Sequence, residues 1–183
     1  AILNDFDAEM TVTASTLEGN TATHMGGAIV TGGLMLVSDS TLSGNTSQMG
    51  GAIVNYSASE LTIHNSTLTA NAASGFEGII GGGGLVNAGT AILRHSTFFG
   101  NTAPEGLGGG IANLYTLDYA NTIVAGSTGG DCALIAMDPV STTYEIILNE
   151  GNLVEDGSCE AAFSGDPLLG DLADHGGPTQ TMA

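Results

Sequence analysis

Two short motifs return along this chain in fixed order and at nearly fixed spacing. The first is a Ser-Thr-apolar triplet: Ser15-Thr16-Leu17, Ser40-Thr41-Leu42, Ser66-Thr67-Leu68 and Ser96-Thr97-Phe98. Asn121-Thr122-Ile123 reads as a fifth, degenerate copy, which makes the steps 25, 26, 30 and 25 residues. Three residues past each of the first four apolar positions stands an asparagine: Asn20, Asn45, Asn71 and Asn101. The second motif is a glycine run before an apolar pair, as in Gly26-Gly27-Ala28-Ile29, Gly50-Gly51-Ala52-Ile53, Gly82-Gly83-Gly84-Leu85 and Gly108-Gly109-Gly110-Ile111. In the last three copies Asn55, Asn87 and Asn113 follow it.

A period of that length fits one coil of a solenoid, in which each repeat buries its apolar residues only against its neighbours. The apolar stretches are too short for helices and alternate with period two. Each coil therefore holds three short strands: the Gly-Gly-Ala-Ile-Val stretch, a second apolar pair such as Leu61-Thr62-Ile63 or Ile92-Leu93, and the Ser-Thr-Leu triplet. Stacking coil on coil gives parallel sheets with rungs about 4.8 Å apart. The expected fold is an all-β parallel β-helix of about five to six coils, roughly 25 residues each.

Alternation assigns the faces. In the third strand Leu17, Leu42, Leu68, Phe98 and Ile123 point inward together with the small Ser column, and Thr16, Thr41, Thr67, Thr97 and Thr122 point outward. In the second strand Val12, Val37, Ile63 and Leu93 join the core, and Thr13, Ser38, His64, Arg94 and Tyr119 face out. The Asn columns are expected at turns, where Asn tolerates the left-handed region and stacked amides bond to one another. The third coil is longer, which predicts a projecting loop over 73–81 containing Gly75, Phe76 and Glu77. Past residue 130 the repeat fades. The chain thus divides into regular coils over 1–130 and an irregular terminal coil with an end segment over 131–183.

Composition narrows the function. One Arg and no Lys stand against 19 acidic residues, a formal net charge of −18. Phosphate neutralisation needs Lys and Arg, so nucleic-acid binding of that kind is excluded, and the same charge argues against docking on anionic membranes. A lysine-based catalyst is impossible, and no apolar run is long enough for a membrane-spanning helix. The start of the chain lacks the basic region of a signal peptide. An acidic, lysine-free, Thr/Asn/Gly-rich chain reads as extracellular or cell-surface. That favours a disulfide between Cys132 and Cys159 over two buried thiols.

With the repeats in hand, a resemblance can be named. Gly-Gly-Ala-Ile alternating with Leu17-Glu18-Gly19-Asn20, Leu42-Ser43-Gly44-Asn45, Leu68-Thr69-Ala70-Asn71 and Phe98-Phe99-Gly100-Asn101 is similar to the Gly-Gly-Ala-Ile and Phe-x-x-Asn repeats of polymorphic outer membrane proteins of bacteria. Only the last unit has that family's Phe. The stretch from Asp166-Pro167-Leu168-Leu169 through Asp174-His175-Gly176-Gly177-Pro178-Thr179 resembles the end of the β-helix in large bacterial surface proteins with a choice-of-anchor domain. There the motif continues as Leu-Pro-Gly-Ser-Pro-Ala-Ile-Asp, whereas this sequence ends at Met182-Ala183. The resemblance implies a right-handed β-helix, export to the cell surface and an adhesive or structural role. It supplies no catalytic residues.

Candidate sites are few. His64, Arg94 and His95 form the basic patch of the expected surface, with Asp39 two rungs away. Arg94 serves either as the base of a polysaccharide lyase or as a solvated cation relieving carboxylate repulsion. Asp171, Asp174 and His175 read as turn formers rather than glycosidase acids. Asp5, Asp7 and Glu9, and with them Glu155-Asp156, are calcium candidates because clustered carboxylates suit that ion. None matches a known calcium loop, and acidic solvated turns explain them as well. No other cofactor is expected. The outward Thr column lacks the second Thr rank of an ice-binding face. Asn45, Asn55 and Asn65 each begin an Asn-x-Ser/Thr triplet.

A solenoid end is a row of unpaired backbone groups. No capping segment is visible before Met10-Thr11-Val12-Thr13, so the chain is expected either to be a piece of a longer adhesin or to pair head to tail with other copies, which would build a filament. The leading expectation is a non-enzymatic extracellular β-helix with a structural or adhesive role. It would self-associate through its ends or bind a host-cell or neighbouring-cell surface or glycan. The alternative is a carbohydrate-active β-helix enzyme, a lyase or glycosidase.

Overall fold

The computed structural model describes residues 1–76, 80–136 and 144–183. The described chain is all β: three parallel six-stranded sheets run the length of a solenoid of six turns. The first sheet stacks Ile2–Asn4, Ile29–Thr31, Ile53–Asn55, Leu85–Asn87, Ile111–Asn113 and Cys132–Leu134. The second stacks Glu9–Thr13, Leu34–Ser38, Glu60–His64, Thr90–Arg94, Thr116–Ala120 and Glu145–Glu150. The third stacks Thr16–Glu18, Thr41–Ser43, Thr67–Thr69, Thr97–Phe99, Ile123–Ala125 and Leu153–Val154. A small pair, Thr46–Ser47 with Ala72–Ala73, adds a fourth side to turns two and three.

Parallel stacking in register turns each repeat position into a column. Ile29, Ile53, Leu85 and Ile111 form one apolar column of the interior; Val37, Ile63, Leu93 and Tyr119 form a second; Leu42, Leu68, Phe98 and Val124 form a third, and all are fully buried. In the first turn the corresponding Ile2, Met10, Val12 and Leu17 are only partly covered. Tight stacking explains the glycine runs. A Cβ on Gly51 would lie 2.4 Å from the carbonyl oxygen of Gly83 in the next turn, so a side chain would push adjacent rungs apart.

Two sequence expectations need the same correction. Thr97 pairs with Ile123 and Phe98 with Val124, so the fifth copy sits one residue later than its Asn-Thr-Ile pattern suggests. Thr122, not Asn121, occupies the Ser column, and its Oγ1 donates to the Ala120 carbonyl as Ser96 Oγ donates to Arg94. Ile123 therefore faces outward and Val124 inward. By the same shift Tyr119 is a core residue and Ala120 takes the outward place. A hydroxyl on Cβ is what the column requires, and Thr supplies it as well as Ser.

Beyond residue 130 a sixth rung continues all three sheets, and residues 155–183 contain no strand. The segment around Cys159 and Ala161 packs on the last turn's interior. The Cys132–Cys159 disulfide ties it to the first sheet, and the Tyr119 hydroxyl donates to the Cys159 carbonyl at 2.6 Å. The remaining tail runs back along the outside of the third sheet. Thr41 Oγ1 donates to the Gln180 carbonyl at 2.6 Å, and Thr179 Oγ1 donates to that of Asp39. Outward-pointing Thr41 is buried at this contact, and Ser43, Thr67 and Thr69 on the same face are buried too. The Thr column is thus the floor of an intramolecular contact rather than an open face. In the third turn's long loop Phe76 and Ile80 pair antiparallel; Glu77 lies outside the described residues.

Candidate functional site

The polar columns are internal to the solenoid. Asn20, Asn45, Asn71 and Asn101 point inward and bond amide to amide from turn to turn, at 2.9, 2.9 and 3.0 Å. Each carbonyl oxygen of the later three also accepts the backbone N–H of the preceding Asn. Each of the later three amides donates back to an interior strand carbonyl, of Leu17, Leu42 and Leu68. The left-handed conformation falls on the residue before the Asn: Gly19, Gly44, Ala70 and Gly100. A second ladder joins Asn55, Asn87 and Asn113 through bonds of 2.7 Å. Ser15, Ser40, Ser66 and Ser96 form a third, each of the last three accepting the N–H of the Ser in the turn before. Asn45 and Asn55 are fully buried, so among the asparagines of the three Asn-x-Ser/Thr triplets only Asn65 reaches solvent.

The basic patch is brought together in part. Arg94 pairs in register with His64, and the imidazoles of His64 and His95 meet edge to face with centroids 5.7 Å apart. The Arg94 guanidinium is engaged by the next rung instead. It donates to Asp118 Oδ1 at 2.6 Å and to the carbonyls of Asp118 and Leu93. Asp39 accepts from Asn65 Nδ2 at 2.6 Å. The one arginine is therefore held by a carboxylate and two carbonyls rather than aimed at a groove.

Several acidic residues are committed to local backbone. Asp5 accepts the Phe6 N–H at 2.8 Å, while Asp7 and Glu9 line a shallow pocket of about 310 Å³ with Glu60. Asp166 and Asp174 close turns by accepting from Leu168 and Gly176. Glu155 accepts the Gly126 N–H. Asp131 and Asp156 cap each other reciprocally, each accepting the other's N–H, at 3.1 and 2.9 Å. Burial holds the Asp131 carboxyl above its ordinary range. For Asp156 desolvation pushes the same way but is outweighed by hydrogen bonds from Ser158 and the Asp131 backbone, so its carboxyl titrates lower than usual. Among the described residues no group of three or more His, Cys, Asp or Glu stands where it could hold a metal ion.

A feature that sequence reasoning missed lies outside the first sheet. Val54, Val86 and Ala112 follow the inward Ile/Leu column, so they point outward, yet they are buried. Leu114 and the partly buried Met25, Met49, Ile80 and Ile135 drape over them as a second apolar cluster. A groove of about 380 Å³ remains, lined by Val54, Val86 and Leu114 between Met49 and Ile80 on one side and Tyr56 and Tyr115 on the other. The signal was present as the apolar residue after Ile in each glycine-run motif. No protein-family model matches this chain, and no curated protein or solved structure matches it.

Proposed function

We propose that the chain is a non-enzymatic extracellular β-solenoid with a structural or adhesive role at a cell surface. The observation that carries this reading is the commitment of its polar side chains: the interior amides and hydroxyls bond rung to rung, and the arginine and many of the carboxylates hold backbone or each other. A disulfide that links two segments 27 residues apart suits an oxidising compartment. The apolar groove outside the first sheet, a concave site edged by exposed Tyr115, is the natural adhesive face.

Self-association through the solenoid ends is part of the proposal, by continued parallel pairing of the sheets between copies. Head-to-tail growth into filaments would also require the Cys159 segment to leave the sixth turn. The test is incubation with a panel of neutral and acidic polysaccharides, following new reducing ends and unsaturated products, for wild type and Arg94→Ala. The proposal expects no cleavage by either. Cleavage that Arg94→Ala abolishes would establish the carbohydrate-active alternative instead.

A further inference from the structure

The structure assigns a soft-metal site that sequence patterns do not disclose: we propose that His24, Met25 and Met49 bind a monovalent d10 cation, copper(I) or silver(I), in the cavity they line with Phe76. These four residues line one cavity of about 450 Å³ beside the apolar cluster of the first sheet. Met25 and Met49 are register partners on adjacent turns, joined as a parallel bridge, so their side chains start about one rung spacing of 4.8 Å apart. From that spacing two flexible Met side chains can turn both thioether sulfurs toward one ion. The His24 carbonyl accepts the Met49 N–H at 3.0 Å, which ties the His24 backbone to the rung of Met49.

The donor set decides the kind of ion. Thioether sulfur with imidazole selects copper(I), while calcium and magnesium need oxygen ligands, and no carboxylate lines this cavity. Phe76 completes the lining with an aromatic ring, a neighbour that favours a cation. The Tyr56 hydroxyl donates to Met25 Sδ at 3.1 Å. Apolar packing alone requires neither an imidazole nor a phenol hydroxyl here; together they orient one sulfur and supply a third donor. Both cysteines are in the disulfide, so no thiolate among the described residues competes for the ion.

The experiment is titration of the full, disulfide-intact chain with silver(I) in chloride-free buffer, and anaerobically with copper(I) against a colorimetric chelator. The methionine methyl resonances are followed by NMR in parallel. Binding of one ion per chain is expected, with the Met25 and Met49 methyl signals moving and that of core Met35 unmoved. Met25→Leu and Met49→Leu should each weaken binding at least tenfold and the double variant abolish it. Tyr56→Phe, a positioning change, should weaken it several-fold. The exposed His64–His95 pair is the competing soft-ion site, and His64→Ala/His95→Ala should leave the affinity unchanged. Stationary Met25 and Met49 signals, or binding lost with His64 and His95 but kept without the two methionines, would overturn the assignment. The methyl readout uses the unmodified protein, so poor folding of a variant does not shield the proposal.

Discussion

Removal of one amide from the interior Asn ladder gives a cost that can be worked bond by bond. In wild type the Asn71 side chain makes four hydrogen bonds. Its Oδ1 accepts from the Asn45 backbone N–H and from Asn45 Nδ2, both at 2.9 Å. Its Nδ2 donates to Leu42 O at 2.9 Å and to Asn101 Oδ1 at 3.0 Å. At about 1 kcal/mol net for each, Asn71→Ala should cost about 4 kcal/mol, and the Asn45 N–H left buried without an acceptor adds to that. The same change at Asn20, at the partly exposed start of the ladder, removes only the bonds to Asn45 Oδ1 and Glu18 O. It should cost about 1–2 kcal/mol. Asn71→Asp should be worse than alanine at neutral pH, because its carboxylate would face two acceptor oxygens with no proton to give. That raises its pKa in the folded state, so part of the loss should return as pH falls through that pKa. Urea unfolding monitored by circular dichroism, with a common m-value, measures all three. Equal losses for Asn71→Ala and Asn20→Ala would refute the ladder as a source of stability.

Four further outcomes follow from single contacts. Asn4 Oδ1 is the one buried side-chain polar atom among the described residues without a partner, whereas the equivalent Asn55 Oδ1 accepts from Ser59 Oγ at 2.7 Å. Ala8 stands where Ser59 does, so Ala8→Ser should raise stability by about 1 kcal/mol in the same urea assay. Ala70 has φ of 53° in a column otherwise held by glycine, and Ala70→Gly should stabilise by roughly 0.5–1 kcal/mol. Burial, reinforced by the charge of Glu160, pushes the Tyr119 phenol up to about 12. The stability it confers is present below the unfolded-state value near 10 and is lost as pH rises toward 12, a loss that urea melts should find absent in Tyr119→Phe. Opening the Cys132–Cys159 bridge should cost about 3.5 kcal/mol in the chain-entropy model for a loop of this size, read as a lower urea midpoint with reductant.

The architecture was legible because a solenoid writes its columns into the sequence at a nearly constant step. Inward Leu, Ser and Asn positions could be read from alternation once the repeats were aligned. The fifth copy slipped because Asn121-Thr122-Ile123 imitates the Ser-Thr-Leu pattern while Thr122 does the work of the serine. The better guide was Leu117 and Tyr119, whose alternation fixes the register of that turn. The tail's path was not legible: the contact of Gln180 with Thr41 spans 139 residues and obeys no period. Nor was the Arg94–Asp118 pair, because Asp118 lies one rung on and two residues before the Arg94 column. The Met25–Met49 juxtaposition needed the loop register before the first sheet, which the glycine runs alone do not specify.

The central claim is that polar side chains here are building elements of the rungs, not free chemistry. Hydrogen–deuterium exchange of the asparagine side-chain amides, resolved by NMR, tests it most directly. The account predicts strong protection for Asn45, Asn71 and Asn87, each fully buried and amide-bonded to the next turn, with faster exchange at partly exposed Asn20. Rapid exchange at Asn45, Asn71 and Asn87 in the folded protein would contradict it, because those amides would then be free to meet a ligand.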